Sequence, residues 1–310
     1  MRIAFFGSPK AALPSLERLI ECGHEVALAI TQPDKPAGRG KEPSPPPVKK
    51  AALDRGIPVL QPEKIRKDQR VLEVLKSTAP DINVVVAYGQ IIPAAITDLP
   101  RFKSINVHFS LLPRYRGAAP VQWAILNGEE KTGVTIFELN ERMDEGDILS
   151  WREVDIRPRE KANELEGRLS HIGADLLVRT LDQIGKLPHI PQEHARATLA
   201  PRLHKDQGRI DWTKDCISVD RMVRAFSPWP GAYTFFHGQR LIVHEGTPLP
   251  APFPAQPPGR ILEVRKEGPL AGCVGGGAYL ITRLQRENRK EMAAGDFLRG
   301  TKMEVGDCLG

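Results

Sequence analysis

Along the first half of the chain, short apolar runs alternate with segments in which apolar residues recur every three or four positions. "RIAFFG" reads as a buried strand, and "AALPSLERLIEC" as a helix with Leu13, Leu16, Leu19 and Ile20 on one side and Gly23 as its stop. "EVALAITQ" and the short "IPVLQ" read as the next strands. "IRKDQRVLEVLKS" is amphipathic, with Ile65, Val71, Leu72 and Leu75 on its apolar side. "DINVVVAYG" is the clearest buried strand, because β-branched residues run together in it. "SINVHF" and "TGVTIFEL" are strand-like, "APVQWAILNG" is helical, and "NELEGRLSHIGADLLVRTLDQIG" is a long helix. This alternation predicts a parallel, doubly wound α/β sheet. Such sheets bind ligands beyond the C-terminal ends of their strands. "SINVHF" therefore draws attention, because it carries Asn106 and His108 at its end.

Beyond "KLPHIPQEHARATLAPRL" the pattern changes. Short strand-like pieces broken by Gly and Pro, such as "GAYTFFHGQRLIVHEG" and "GRILEVRKEG", predict a small barrel or sandwich. "PLPAPFPAQPPG" reads as a Pro-rich surface loop. With 310 residues the chain has room for two domains, each with a core. A hydrophobic fraction of 41% with 26% charged residues is a globular composition and excludes a disordered one. No apolar run reaches the roughly 20 residues that span a bilayer. The start, "MRIAFFGSP", reads as a first strand rather than a signal peptide, which leads us to expect a cytoplasmic protein. The four cysteines form no CxxC pair and read as free thiols. A net charge of +6 suits an anionic partner, nucleic acid included, or simply a basic enzyme.

Candidate chemistry changes this picture in three places. First, "FFGSPKAA" has a single glycine after the first strand, and no GxxxxGK[ST] occurs, so the doubly wound fold is not evidence for a dinucleotide or ATP. Second, "TQPDKPAGRGKEPSPPPVKK" carries Lys35, Arg39, Lys41, Lys49 and Lys50 against Asp34 and Glu42. It is either a solvated loop or a mobile basic loop that orders on phosphates. Third, Asn106, His108 and Asp144 all fall at strand ends. An amide donor, an imidazole that titrates near neutrality and a carboxylate to orient it suit acyl-type transfer. The same polar residues could instead only cap strand ends. Ser110 lacks a GxSxG elbow.

At "NVHFSLLPRYRGAAP" together with "TGVTIFELNERMDEGDIL", the chain resembles the folate-dependent formyltransferases. The resemblance runs nearly end to end through "FFGSP", "TQPDKPAGRG", "VVVAYGQIIP", "GRIDW" and "RAFSPWPGAYT". It implies a Rossmann-like catalytic domain over 1–189, a linker over 190–205, and an OB-like β-barrel domain over 206–310 that binds tRNA. The donor it implies is 10-formyltetrahydrofolate, with no metal. The acceptor is initiator methionyl-tRNA, favoured by the proline-glycine loop and the second domain. By the same resemblance Asn106, His108 and Asp144 are catalytic. Ser110, Leu111, Leu112 and Pro113 bind folate, and Val86, Tyr88 and Gly89 help form its pterin pocket. Lys35, Arg39, Lys41, Arg286, Arg289 and Lys290 are expected to meet tRNA, and the working unit is expected to be a monomer. Phe109, Arg142 and Glu145 depart from the family's usual residues, and Arg142 is expected to stand beside Asp144. Competing readings are a formyltransferase with an amino-sugar nucleotide or water as acceptor, a non-catalytic RNA-binding protein, and a metal-dependent hydrolase. The last lacks a second His or Cys at ligand spacing from His108.

Overall fold

The computed structural model describes residues 1–37, 42–250, 252–253 and 256–310. The chain divides into two compact units, and the division is discontinuous in sequence. The first comprises Met1–Pro120, Lys131–Asp155 and Glu166–Pro201; the second comprises Val121–Glu130, Ile156–Leu165 and Arg202–Gly310.

In the first unit β1 (Arg2–Gly7) leads through α1 (Leu13–Glu21) to β2 (Glu25–Ile30). β3 (Lys35–Ala37) and β4 (Glu42–Ser44) pair as an antiparallel two-stranded ribbon. α2 (Pro47–Leu53), β5 (Val59–Leu60), α3 (Gln69–Thr78), β6 (Ile82–Val86), α4 (Ala94–Thr97) and β7 (Ser104–His108) follow. α5 (Pro120–Leu126), which apart from Pro120 is counted with the second unit, precedes β8 (Lys131–Glu138), β9 (Ile148–Asp155) and the long α6 (Ala162–Asp182), whose first four residues are also counted there. The segment that reads as one amphipathic helix is broken at Asp68. A single 3-10 turn over Ile65–Lys67 comes first, and the Asp68 carboxylate then caps α3 by accepting from Arg70 N–H.

Seven strands form one sheet in the order β5-β2-β1-β6-β7-β8-β9. The first five are parallel, as the alternation predicts. β8 and β9 depart from that prediction. β8 runs antiparallel to β7, and β9 antiparallel to β8. The parallel strands are covered on both faces, which is why β6 is buried along its whole length and reads as a continuous apolar run. Phe6, Leu28, Ile30, Val85 and Tyr88 of the sheet and its loops pack against Val71 and Leu75 of α3. The single Gly7 serves this packing rather than a nucleotide. A Cβ there would meet the Phe5 ring at 2.8 Å and Val86 O at 3.0 Å.

In the second unit α7 (Cys216–Ala225) packs with an antiparallel, OB-like sheet. Its strands are β10 (Ala232–Phe236), β11 (Gln239–Leu249), β12 (Ile261–Val264), β13 (Pro269–Gly272) and β14 (Ala278–Arg286), in the order β10-β11-β14-β13-β12. β15 (Met292–Ala293) pairs with β14, and α8 (Ala294–Arg299) follows it. Trp212, Val219, Val243, Tyr279, Leu284 and Phe297 share its core. Asp215 caps α7 by accepting from Ile217 and Ser218 N–H, and these bonds, with the Ser218 hydroxyl first, hold its carboxyl below the usual range. All four cysteines are free thiols. Burial pushes Cys273 up to about 12. Among the described residues no helix is long and apolar enough to cross a membrane.

Candidate active site

β7 alternates its side chains between the two faces of the sheet, and its last residues carry the polar groups. Asn106 lies opposite Val85 of β6 and Phe137 of β8, and His108 lies opposite Thr135 of β8. His108 is 6% exposed, and its ring meets Phe137 edge-on at 6.3 Å. Its Nε2 lies 2.9 Å from the carbonyl of Tyr115. A carbonyl only accepts, so Nε2 carries the proton and Nδ1 is the nitrogen left for chemistry. Nδ1 faces Asp144 Oδ2 at 3.8 Å, longer than a hydrogen bond and close enough for an ion pair when the ring is charged. Asp144 is itself 9% exposed, and its Oδ2 accepts from Gly117 N–H at 2.8 Å. Asp144 adopts φ +56°, an uncommon left-handed conformation for a non-glycine residue, on the loop between β8 and β9. The Oδ1 of Asn106 is buried and has no hydrogen-bond partner in the protein. A buried amide left open in this way at a strand end leaves room for a substrate group to complete it.

The turn after β7 is pinned to β8. The Thr135 hydroxyl donates to Ser110 O at 2.7 Å and accepts from Leu112 N–H at 3.1 Å. The Ser110 hydroxyl donates to Arg114 O at 2.7 Å, so Ser110 is fully buried and staples the turn instead of facing outward as a nucleophile would. Leu111 lies over Gly133 of β8, where a Cβ would come within 2.5 Å of its Cδ2. Leu112 packs with Phe137 and Ile148, and a cis peptide joins it to Pro113. Phe109 is buried near Gly173 of α6, where a Cβ would meet Val107 at 2.9 Å but stand at ordinary contact distance, 3.6 Å, from the Phe109 ring.

After β6 the side chains of Val86 and Tyr88 point into the core. Tyr88 is 2% exposed and packs edge-on against Phe6 at 5.6 Å. Burial raises its phenol well above the usual range, and the hydroxyl has no partner in the protein. What this loop leaves exposed is Ala87 and Gly89, both at positive φ. Any pocket made here is lined by backbone at those residues rather than by the Tyr88 ring. The loop is tied down by Gln32 Nε2, which donates to Tyr88 O, and by Gln90, which accepts from Ile65 N–H and donates to Pro62 O.

Arg142 does not stand against Asp144. It is largely exposed and reaches Glu145 at 3.6 Å. The buried cation that meets this loop is Arg116, from the turn after β7, which pairs with Glu145 at 3.2 Å and donates from Nε and Nη2 to Gln192 Oε1. Sequence reasoning missed Arg116 and Gln192. Their only signal is a charged residue inside a turn and a lone amide in a Pro-containing stretch. Among the described residues no cluster of three His, Cys, Asp or Glu side chains could hold a metal ion.

Of the basic positions, Arg39 and Lys41 lie outside the described residues. Lys35 is exposed. Lys49 is tied to Asp34 at 2.8 Å, and that bond, with one from Gln61, holds the Asp34 carboxyl below its usual range. Arg289 and Lys290 are exposed on the turn between β14 and β15. Arg286 is half-buried, stacks 4.9 Å over Phe297 and donates to Thr301, so it is occupied within the second unit. Sequence reasoning also missed a ladder on β10: Arg240 of β11 lies 3.8 Å over Tyr233, and Arg209, from the segment before α7, lies 5.6 Å over Phe235.

Comparison with known proteins adds a family to this geometry. The formyl transferase model matches residues 1–181, and the formyl transferase C-terminal domain model matches residues 202–302. Over the whole chain the sequence is 46% identical to the methionyl-tRNA formyltransferase of Geobacter sulfurreducens, covering 97% of that protein. It is 45% identical to that of Solibacter usitatus, covering 99% of it. Among solved structures, 98% of the chain superposes on HypX from Aquifex aeolicus with a TM-score of 0.63 at 22% identity, and the chain spans 50% of that longer protein. The methionyl-tRNA formyltransferase from Clostridium thermocellum matches 80% of the chain, and 93% of its own, with a TM-score of 0.57 at 18% identity. At these identities the structural likeness speaks for the fold. The sequence matches, which take in both the strand-end site and the antiparallel second unit, show that the chain belongs to the formyl transferase family.

Proposed function

We propose that the chain transfers the formyl group of 10-formyltetrahydrofolate to the α-amine of initiator methionyl-tRNA, with Asn106, His108 and Asp144 as its catalytic residues. The observation that carries this reading is the buried set at the end of β7. It combines an amide oxygen with no partner, an imidazole with one nitrogen already committed, and a carboxylate facing the other. In the reaction a bond forms between the amine nitrogen and the formyl carbon, and the bond from that carbon to the donor nitrogen breaks. One proton leaves the amine and one reaches the departing nitrogen.

The residues present suit such a donor. The turn of Ser110, Leu111, Leu112 and Pro113 offers a rigid edge beside the site, and the exposed backbone at Ala87 and Gly89 offers unhindered amide groups. The donor supplies an activated formyl carbon. The chain supplies position and charge. Asn106 can accept an amine N–H at Oδ1 or donate from Nδ2 to the formyl oxygen. His108, protonated at Nδ1, donates to the same oxygen as negative charge develops there. Asp144 stabilises the charged imidazole and, fixed by the Gly117 N–H, can take up the amine's proton.

For the RNA we infer contacts that are mostly electrostatic, through Lys35, Arg39 and Lys41 of the first unit and, separately, through Arg289, Lys290 and the aromatic ladder of the second. Arg286 would support that surface by packing. The same reading takes the working unit as a cytoplasmic monomer.

The test is turnover of charged initiator methionyl-tRNA with 10-formyltetrahydrofolate, run beside uncharged tRNA and a nucleotide-linked amino sugar. Formylation of the charged tRNA alone supports the reading; a formylated sugar moves the acceptor assignment. Asn106→Ala is expected to lower turnover by about 100- to 1,000-fold, the usual cost of a lost oxyanion donor, with the fold intact. Near-normal turnover in that variant would remove Asn106 from the mechanism.

A further inference from the structure

Both polar groups that face the ring nitrogens of His108 are held by one stretch of chain, residues 190–200, which lies between the two segments matched by the family models. The stretch runs along the first unit. At one end Ile190 exchanges both backbone hydrogen bonds with Ile148, the first residue of β9. At the other, Arg116 N–H donates to Thr198 O, Ala200 N–H donates to Arg116 O, and Ala119 N–H donates to Ala200 O. Gly117 sits at φ +128°, and a Cβ there would lie 2.5 Å from Ala200 O. The strap and the turn after β7 thus approach as closely as two backbones can.

Two side chains on this strap reach the catalytic partners. The Gln192 amide donates to Asp144 O at 2.9 Å and to Gly146 O at 2.7 Å, spanning the turn that holds Asp144 at positive φ. Its oxygen is occupied by Arg116, at 3.1 Å from Nε and 2.7 Å from Nη2, so the amide cannot turn over without losing four bonds. Gln192 is 6% exposed and Arg116 5% exposed. Arg116 also donates to His194 Nδ1 at 3.1 Å. Further along, the Thr198 hydroxyl accepts from Tyr115 N–H at 2.9 Å. Tyr115, at φ +61°, is the residue whose carbonyl accepts from His108 Nε2. Thr198 therefore fixes the group that sets the His108 tautomer, and Gln192 fixes the carboxylate that faces the other ring nitrogen.

We propose that the 190–200 strap is a working part of the active site, with Gln192 and Thr198 as positioning residues that hold Asp144 and Tyr115 in register with His108. The proposal rests on His108 and Asp144 being the catalytic pair. Neither strap residue touches substrate. Each acts by removing freedom from a group that must sit within a fraction of an ångström of its place, and misplacement of about 1 Å can cost a factor of about 100 in rate.

The test uses the full chain carrying Gln192→Ala, Thr198→Val or Thr198→Ser. Turnover is measured with methionyl-tRNA, and the His108 Nε2–H proton is observed by NMR. Gln192→Ala is expected to lower kcat about 10- to 100-fold, with KM for both substrates within about threefold of the parent. Thr198→Val is expected to lower kcat similarly and to weaken or abolish the exchange-protected Nε2–H signal. Thr198→Ser, which keeps the accepting oxygen, is expected to restore both. Two results overturn the proposal: folded Gln192→Ala and Thr198→Val proteins whose kcat stays within twofold of the parent, or Thr198→Ser behaving as Thr198→Val does. If the parent itself does not formylate methionyl-tRNA, the acceptor reading fails. The strap then stands or falls on whether the Nε2–H signal responds to Thr198→Val and is kept by Thr198→Ser.

Discussion

On one side of the site β7 runs parallel to β6 and ends in Asn106 and His108. On the other, β8 runs antiparallel and offers Thr135 to the turn after β7, then leads into the loop that carries Asp144. The parallel half of the sheet is buried on both faces, and its residues are chosen for packing. The antiparallel half is thinner: β9 is buried only at its start, and Trp151 stands 57% exposed on it. The site lies where the two halves meet. The parallel half contributes the imidazole and amide at the end of a rigid strand. The antiparallel half contributes a hydroxyl and a carboxylate that approach from the opposite chain direction. The difference teaches a division of labour: one half fixes where the proposed chemistry would happen, and the other closes around it.

Removing a group from each half sharpens this comparison. The largest effect is expected from His108→Ala, which takes the proposed proton carrier from the parallel half. It should lower kcat by about 100- to 10,000-fold while leaving the urea midpoint little changed, which steady-state kinetics and an unfolding curve on the same preparation will check. Next is Thr135→Val, in the antiparallel half. It keeps the shape but leaves Ser110 O and Leu112 N–H without their buried partner. A loss of about 1–3 kcal/mol of stability is expected, read from denaturant unfolding, together with reduced turnover. If Thr135→Val is as stable as the parent, the turn is not held by β8 and the comparison breaks.

The smallest effect is expected at Lys103→Gln, across the same seam. Lys103 pairs with Glu138 at 2.6 Å, and that hydrogen bond and charge raise its proton affinity in the fold above the ordinary value of 10.5. A raised lysine stabilises fully below its unfolded value and loses that contribution as pH rises through the folded one. The side chain is half exposed, so the difference near neutral pH should stay below about 1 kcal/mol. It should shrink above pH 10.5. Unfolding midpoints of the two proteins at neutral and strongly alkaline pH test this, and a gap that widens with pH would reverse the sign.

Much of the parallel half is legible from the pattern alone. β1, β2 and β7 come out within a residue or two, and β6 is found although it ends three residues before "DINVVVAYG" does, because fully covered strands must be apolar along their length. β9 escapes that reading. Its "SWREVD" stretch alternates poorly and is mostly exposed, so nothing in its composition demands a strand; pairing with β8 does. The direction of β8 is equally hidden. "TGVTIFEL" would look the same in either orientation, since periodicity reports burial and not chain direction. Arg142 illustrates the same limit at the site. Proximity in sequence put it beside Asp144, but Glu145 is the better partner and draws it outward.

The sequence by itself singled out the residues proposed for the chemistry and pointed to the family they belong to. Asn106, His108 and Asp144 stand in local patterns, and the strand that delivers the first two is announced by its apolar run. Only the tertiary structure decided how those residues meet. The contacts that orient the imidazole and carboxylate join Arg116 to Gln192 and Tyr115 to Thr198, pairs 76 and 83 positions apart. Each puts a side chain of one segment on a guanidinium or a backbone group that only the fold brings near. Such contacts leave no periodic trace in the sequence, because hydrophobic pattern records where a side chain is buried and never which distant backbone group it will find there.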